Sequence, residues 1–137
     1  MQSKLNPYIE FSGSARQAMT YYQTVFGGKL SMQTYKDFQV SKNPADDDKI
    51  MHAELIAENG ITLMGADSMD EAQSPKSNIS ISLSGDQQTE LTGYYNQLSA
   101  GGTIIEPLAQ APWGDQFGMC VDRFGIKWMF NIAGPKA

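Results

Sequence analysis

One pattern in this chain is written twice. The stretches "YYQTVFGG" (21–28) and "YYNQLSAGG" (94–102) each join a tandem tyrosine to an apolar stripe and then stop at a double glycine. Ala18, Tyr21, Tyr22 and Val25 fall at i, i+3, i+4 and i+7, and so do Leu91, Tyr94, Tyr95 and Leu98. That spacing lines one face of a helix. Gly27-Gly28 and Gly101-Gly102 are the stops that a left-handed C-terminal turn requires. Ser14 with Gln17 reads as a capping-box start for the first helix, and Asp86 as an N-cap for the second.

The flanks of the two helices repeat as well. A strand-like run precedes each, "LNPYIEF" and "NISISLS", and three follow each. After the first helix come "KLSMQTYKD", "KIMHAELIA" and "ITLMGAD", the last two joined through Asn59-Gly60, a strong hairpin signal. After the second come "GTIIEPLAQ", "QFGMCV" and "IKWMFNI", the last two joined by the turn Asp122-Arg123-Phe124-Gly125. The order is βαβββ followed by βαβββ, an α+β architecture of packed sheets with helices outside. At 137 residues the chain reads as one domain, with repeat one at about 3–68, a linker at about 69–76 and repeat two at about 77–134.

Composition removes whole classes of function. Ten basic residues are scattered and the net charge is −5, which excludes the clustered cations that nucleic acid demands. No apolar run reaches the ~20 residues of a membrane helix. The N-terminus carries no signal-peptide core, and a single cysteine makes no internal disulfide, so a cytoplasmic protein is expected. A small organic molecule is the expected partner. Asp46-Asp47-Asp48 lacks the spaced ligands and glycine of a calcium loop and reads as a solvated charge run.

The stretches "PYIEFSGSARQAMTYYQTVFGG", "KIMHAEL" and above all "PWGDQFGMCVDRFGIKWMFNI" resemble the PhnB-like branch of the vicinal oxygen chelate superfamily, the glyoxalase and bleomycin-resistance group. The resemblance spans nearly the whole chain. It implies curled mixed sheets around a cup-shaped cavity, often completed by a homodimer. In catalytic relatives a divalent metal is held by one ligand from the first and last strand of each repeat. Carried over, those positions are Pro7, Leu63, Asn78 and Met129. Proline and leucine offer no side-chain donor, methionine offers a soft thioether, and only Asn78 could coordinate weakly. No metal or other cofactor is therefore expected, and the superfamily's metal-dependent chemistry does not transfer by fold analogy. Relatives of the branch are also labelled demethylubiquinone methyltransferases, yet no glycine-rich nucleotide loop stands between a strand and a helix here.

Strand alternation distributes the candidate site residues. If Leu63 faces the cup, a two-residue turn at Asn59-Gly60 pairs it with Ile56, and His52 and Glu54 join it there. These two are either a proton-transfer or ligand-orienting pair, or a strand histidine and glutamate with no chemical task. With Met129 in the cup, Asn131 shares its side, and a turn that opposes Val121 to Ile126 adds Gln116, Gly118 and Cys120. Phe117, Met119, Trp128 and Phe130 then face the helix. Asn78 and Ser80 alternate with Ile79 and Ile81 and are assigned to the cup, although a polar strand face in solvent would read identically. Trp113, in "APWGD", is expected at the rim, either stacking on a ligand or packing on the neighbouring repeat. Cys120 reads as a small buried hydrophobe. Three functions fit: a metal-free binder of a small organic ligand, an enzyme using an atypical metal site or His52 and Glu54, and an interaction module with a vestigial cup.

Overall fold

The computed structural model describes residues 3–68 and 78–134. The expected linker, about 69–76, lies outside the described residues. The chain divides into two compact units, Met1–Gln73 and Ser74–Ala137. In the first, β1 (Tyr8–Phe11) leads into α1 (Ala15–Phe26), followed by β2 (Lys29–Thr34), β3 (Ile50–Ile56) and β4 (Thr62–Asp67). In the second, β5 (Ile81–Gly85) leads into α2 (Gln88–Ser99), followed by β6 (Thr103–Gln110), β7 (Gln116–Val121) and β8 (Lys127–Ile132). Each unit holds a four-stranded mixed sheet, ordered β1-β4-β3-β2 and β5-β8-β7-β6. In both, the first strand runs parallel to the last and the remaining pairs are antiparallel. The duplicated βαβββ order is thus the observed fold.

Each helix covers one face of its own sheet. Ala18, Met19, Tyr22 and Val25 of α1 are buried, as are Ala53, Leu55 and Leu63 of the sheet. In the second unit Tyr95 meets Phe130 edge-on at 5.4 Å, above a fully buried Trp128. Burying one such large apolar side chain contributes about 1.5–3 kcal/mol. The opposite face of each sheet carries no helix of its own unit.

The double glycines do two jobs. Gly27 and Gly101 take left-handed φ values of 72° and 78° as the helices end. Gly28 and Gly102 then press on the ends of β3 and β7. A Cβ at Gly28 would sit 2.2 Å from the carbonyl oxygen of Ile56, and one at Gly102 would sit 2.1 Å from that of Val121. Only glycine allows that approach.

The helix starts differ from expectation. Ser14 makes no side-chain cap; the carboxylate of Asp67, 2% exposed, accepts from the Gly13 and Ala15 amides at 2.9 Å each. Its second oxygen accepts from Ile50 N at 2.9 Å, which ties helix start and strand start to one buried acid. In α2 the cap position is Gln87, while Asp86 accepts from the Gln87 side chain. Asp122, 3% exposed, accepts from the Phe124 and Ile126 amides and from the Trp128 indole.

Candidate functional site

Both hairpins turn through three residues, and this sets which side chains reach the helix-free faces. Ala57 N donates to Ile61 O and Gly60 N to Ala57 O, with Gly60 at φ 92°. Asp122 N donates to Ile126 O and Gly125 N to Asp122 O, with Gly125 at φ 88°. Each is a turn closed by a left-handed glycine, one residue longer than the two-residue reading at Asn59-Gly60 and one shorter than the four-residue reading at 122–125. A one-residue slip moves a whole strand to the other face.

In the first unit Leu55, and not Ile56, stands opposite Leu63. Leu63 is 2% exposed on the α1 side, so its assignment to the ligand face is corrected. Met64 takes that place, paired with Glu54 on one side and Tyr8 on the other. His52 and Glu54 do share the helix-free face, as alternation from Met64 requires. The hydrogen bond of the imidazole goes to Tyr8, whose Oη lies 3.1 Å from His52 Nδ1 with the rings 5.7 Å apart. The Tyr8 hydroxyl is held above its usual pKa by burial, then by Tyr35 and the charge of Glu10.

In the second unit Val121 stands opposite Lys127 and Cys120 opposite Trp128. Cys120, Gly118 and Gln116 therefore belong to the helix side, Gln116 alongside Ile132, which corrects their assignment. Burial, then the charge of Asp122, pushes the Cys120 thiol up to about 11, so it is no nucleophile at neutral pH. Phe117 and Met119 take the helix-free face instead, opposite Asn131 and Met129. Trp128 and Phe130 face the helix as expected.

Trp113 stands beside Phe117, ring centroids 5.8 Å apart and edge-on. Its indole N–H donates to Asn131 Oδ1 at 3.4 Å. Asn131 Nδ2 donates in turn to Asp115 Oδ2 at 3.0 Å, and Asp115 Oδ1 accepts from Gly134 N at 3.0 Å. These bonds, the Gly134 amide first and then Asn131, hold the Asp115 carboxyl below its usual range. Two contacts thus orient an indole that remains 62% exposed. Asn78 and Ser80 precede β5, whose first rung is Ile81 with Trp128. Ile79 is 70% exposed, so alternation does not extend back over them. Within β5, Ser82 aligns with Met129 and Ser84 with Asn131.

The side chains at the four inherited positions do not fit a hard divalent ion. Pro7 has no donor, Leu63 faces α1, and Met129 offers only its thioether. No cluster of three or more histidine, cysteine, aspartate or glutamate residues with metal-binding geometry occurs among the described residues. Sequence reasoning missed Tyr8, Phe117 and Asp115. Phe117 and Met119 would have been recovered by counting the 122–126 turn as three residues; nothing local in "NPYIEF" marks Tyr8 as the partner of His52.

The family model for 3-demethylubiquinone-9 3-methyltransferase matches residues 3–131. Protein YjdN of Escherichia coli (strain K12) is 29% identical, with 93% of this chain and 94% of YjdN covered. The crystal structure of protein PA1353 from Pseudomonas aeruginosa superposes with a TM-score of 0.76 at 36% identity, covering 98% of this chain and 100% of that one. A Bacillus cereus PhnB protein, titled a putative 3-demethylubiquinone-9 3-methyltransferase, shares the fold with a TM-score of 0.76 at 24% identity, covering 96% and 100%. With its two βαβββ units and this match over nearly its whole length, the chain belongs to the 3-demethylubiquinone-9 3-methyltransferase family, the PhnB-like branch of the vicinal oxygen chelate superfamily.

Proposed function

We propose that this protein binds a small organic ligand on the helix-free faces of its sheets, without the divalent ion of the superfamily's catalytic members. The observation that carries the reading is Trp113, 62% exposed and yet oriented by Phe117 and Asn131. An indole left in water exposes apolar area, and fixing its orientation in advance lowers the entropic cost of stacking a ligand on it. Around it, Met119 and Met129 supply adaptable apolar surface, and Asn131 and Ser82 supply polar groups that orient. Such a mixed surface suits an aromatic or unsaturated ligand with a few polar substituents.

Methyl transfer, which the family's description names, is not part of this reading. The junction of β1 and α1 spends its Gly13 and Ala15 amides on the protein's own Asp67. A second reading, acid–base catalysis by His52, rests on one observation, its placement beside Tyr8 and Glu54 on one face. Native mass spectrometry and elemental analysis of protein purified without chelators test the metal-free binding reading. A released organic molecule with no stoichiometric metal is the expected result. About one equivalent of Zn, Ni, Mn or Fe retained through dialysis would overturn the metal-free reading and favour the enzyme.

A further inference from the structure

We propose that Tyr8 is a positioning residue that locks His52 in the tautomer protonated at Nε2, so that the imidazole offers one N–H donor to an acceptor oxygen of the ligand, a carbonyl, carboxylate or phosphoryl oxygen. This deepens the binding function proposed above and rests on it. The Tyr8 hydroxyl lies 3.1 Å from His52 Nδ1, within hydrogen-bond range. One of the two must donate. An imidazole nitrogen is a far stronger base than a phenol oxygen, and a neutral phenol is a good donor, so the O–H points at Nδ1. Burial, Tyr35 and Glu10 keep the Tyr8 phenol protonated, which preserves that donor.

Neutral imidazole carries one ring proton. With Nδ1 accepting from Tyr8, the proton resides on Nε2, across the ring. Every buried side-chain nitrogen and oxygen among the described residues has a partner, and the imidazole's hydrogen bond is the one to Tyr8. Nε2 is therefore reached by solvent, and its N–H can be exchanged from water to a ligand. The other polar groups aligned on this face of the sheet are Gln33, Ser31 and Lys29 on β2, Glu54 on β3, Thr62 on β4 and Glu10 on β1. The two carboxylates only accept, and Lys29 stands two same-face rungs along β2 from Gln33, opposite Ile56. The His52 N–H is the donor that Tyr8 fixes in place for a ligand oxygen.

The chain has a single histidine, so its imidazole nitrogen resonances need no assignment. Long-range ¹H–¹⁵N correlation on ligand-free, ¹⁵N-labelled full-length protein at pH about 8.5, well above the ordinary histidine value, reads the tautomer directly. The expected wild-type spectrum has Nδ1 as a lone-pair nitrogen and Nε2 as a protonated one. In Tyr8→Phe, Nδ1 moves toward the shift of a tautomer mixture while the backbone amide spectrum stays folded. Acetate, a minimal acceptor-oxygen probe, should move the wild-type Nε2–H resonance saturably and should need several-fold more acetate in Tyr8→Phe. Protonated Nδ1 in the wild type, or an Nδ1 shift unchanged in Tyr8→Phe, overturns the tautomer lock and leaves the Trp113 site standing. An Nε2–H resonance that acetate does not move saturably overturns the docking role. Loss of ligand binding at Trp113 is read separately, so the two failures are distinguishable.

Discussion

Asp67, which is buried, and Asp115, which is half-buried, each tie distant backbone into the fold. Asp67 accepts three backbone N–H groups, from Gly13, Ala15 and Ile50. Asp67→Ala strands those donors and is expected to cost about 3 kcal/mol, read as a lower urea midpoint at unchanged m-value. A change within experimental error would show that water or another side chain replaces the carboxylate. Asp115 gives a pH-dependent counterpart. Its folded-state pKa lies below the unfolded value because Gly134 and Asn131 donate to it. Its contribution is thus fully present above the unfolded value, about 3.9, and disappears as pH falls through the lower folded one. The stability difference between wild type and Asp115→Asn should be constant above pH about 5 and shrink below about 4. A difference that grows on acidification would contradict the assigned bonds. Neither role was legible in advance: "GAD" and "GDQ" carry no motif, and the donors they serve lie 52 and 19 residues away in sequence at Ala15 and Gly134.

At the scale of elements, local chemistry marked every helix and strand, because the periodicities of 3.6 and 2 and the double-glycine stops are short-range signals. The failures came from two sources. The 122–125 turn was counted as four residues where three turn, which moved Gln116, Gly118 and Cys120 to the wrong face and hid Phe117 and Met119. Leu63 was placed by its inherited metal position, one residue from Met64, and the short count at Asn59-Gly60 offset that slip and left His52 and Glu54 on the correct face. In a type I turn closed by a left-handed glycine, the residue before the turn stays in the ladder, and composition alone does not distinguish this from a two-residue loop. The glycines give the matching prediction. Gly28→Ala and Gly102→Ala each force a Cβ onto a carbonyl oxygen and should each destabilise by about 2 kcal/mol or more. Gly93→Ala, inside α2 with nothing within 4 Å of the new Cβ, should stabilise by about 0.5–1 kcal/mol. Thermal melts of the three variants check this, and the same sign for all three would contradict it.

On the scale of the whole molecule, the fold and the family were both legible, since duplication and the 112–132 segment are properties of sequence order. The ligand surface was legible only in part: His52, Trp113, Met129 and Asn131 share helix-free faces, whereas Leu63 and Gln116 do not. No helix among the described residues is long and apolar enough to cross a membrane. We expect a homodimer, because cups in this superfamily are often completed by a second copy and closed twofold assemblies are the commonest. Sedimentation at tens of micromolar should show twice the 15.0 kDa chain mass, and a monomer at that concentration would refute the expectation. The central claim, that Trp113 is the preformed stacking surface of a ligand site, is tested most directly by a ligand-observed NMR screen. Aromatic carboxylates and phenols would be titrated against wild type and against Trp113→Ala of verified fold. The account predicts saturable binders that lose about tenfold in affinity in Trp113→Ala, on the order of 1.4 kcal/mol. Equal affinities in the two proteins would contradict it.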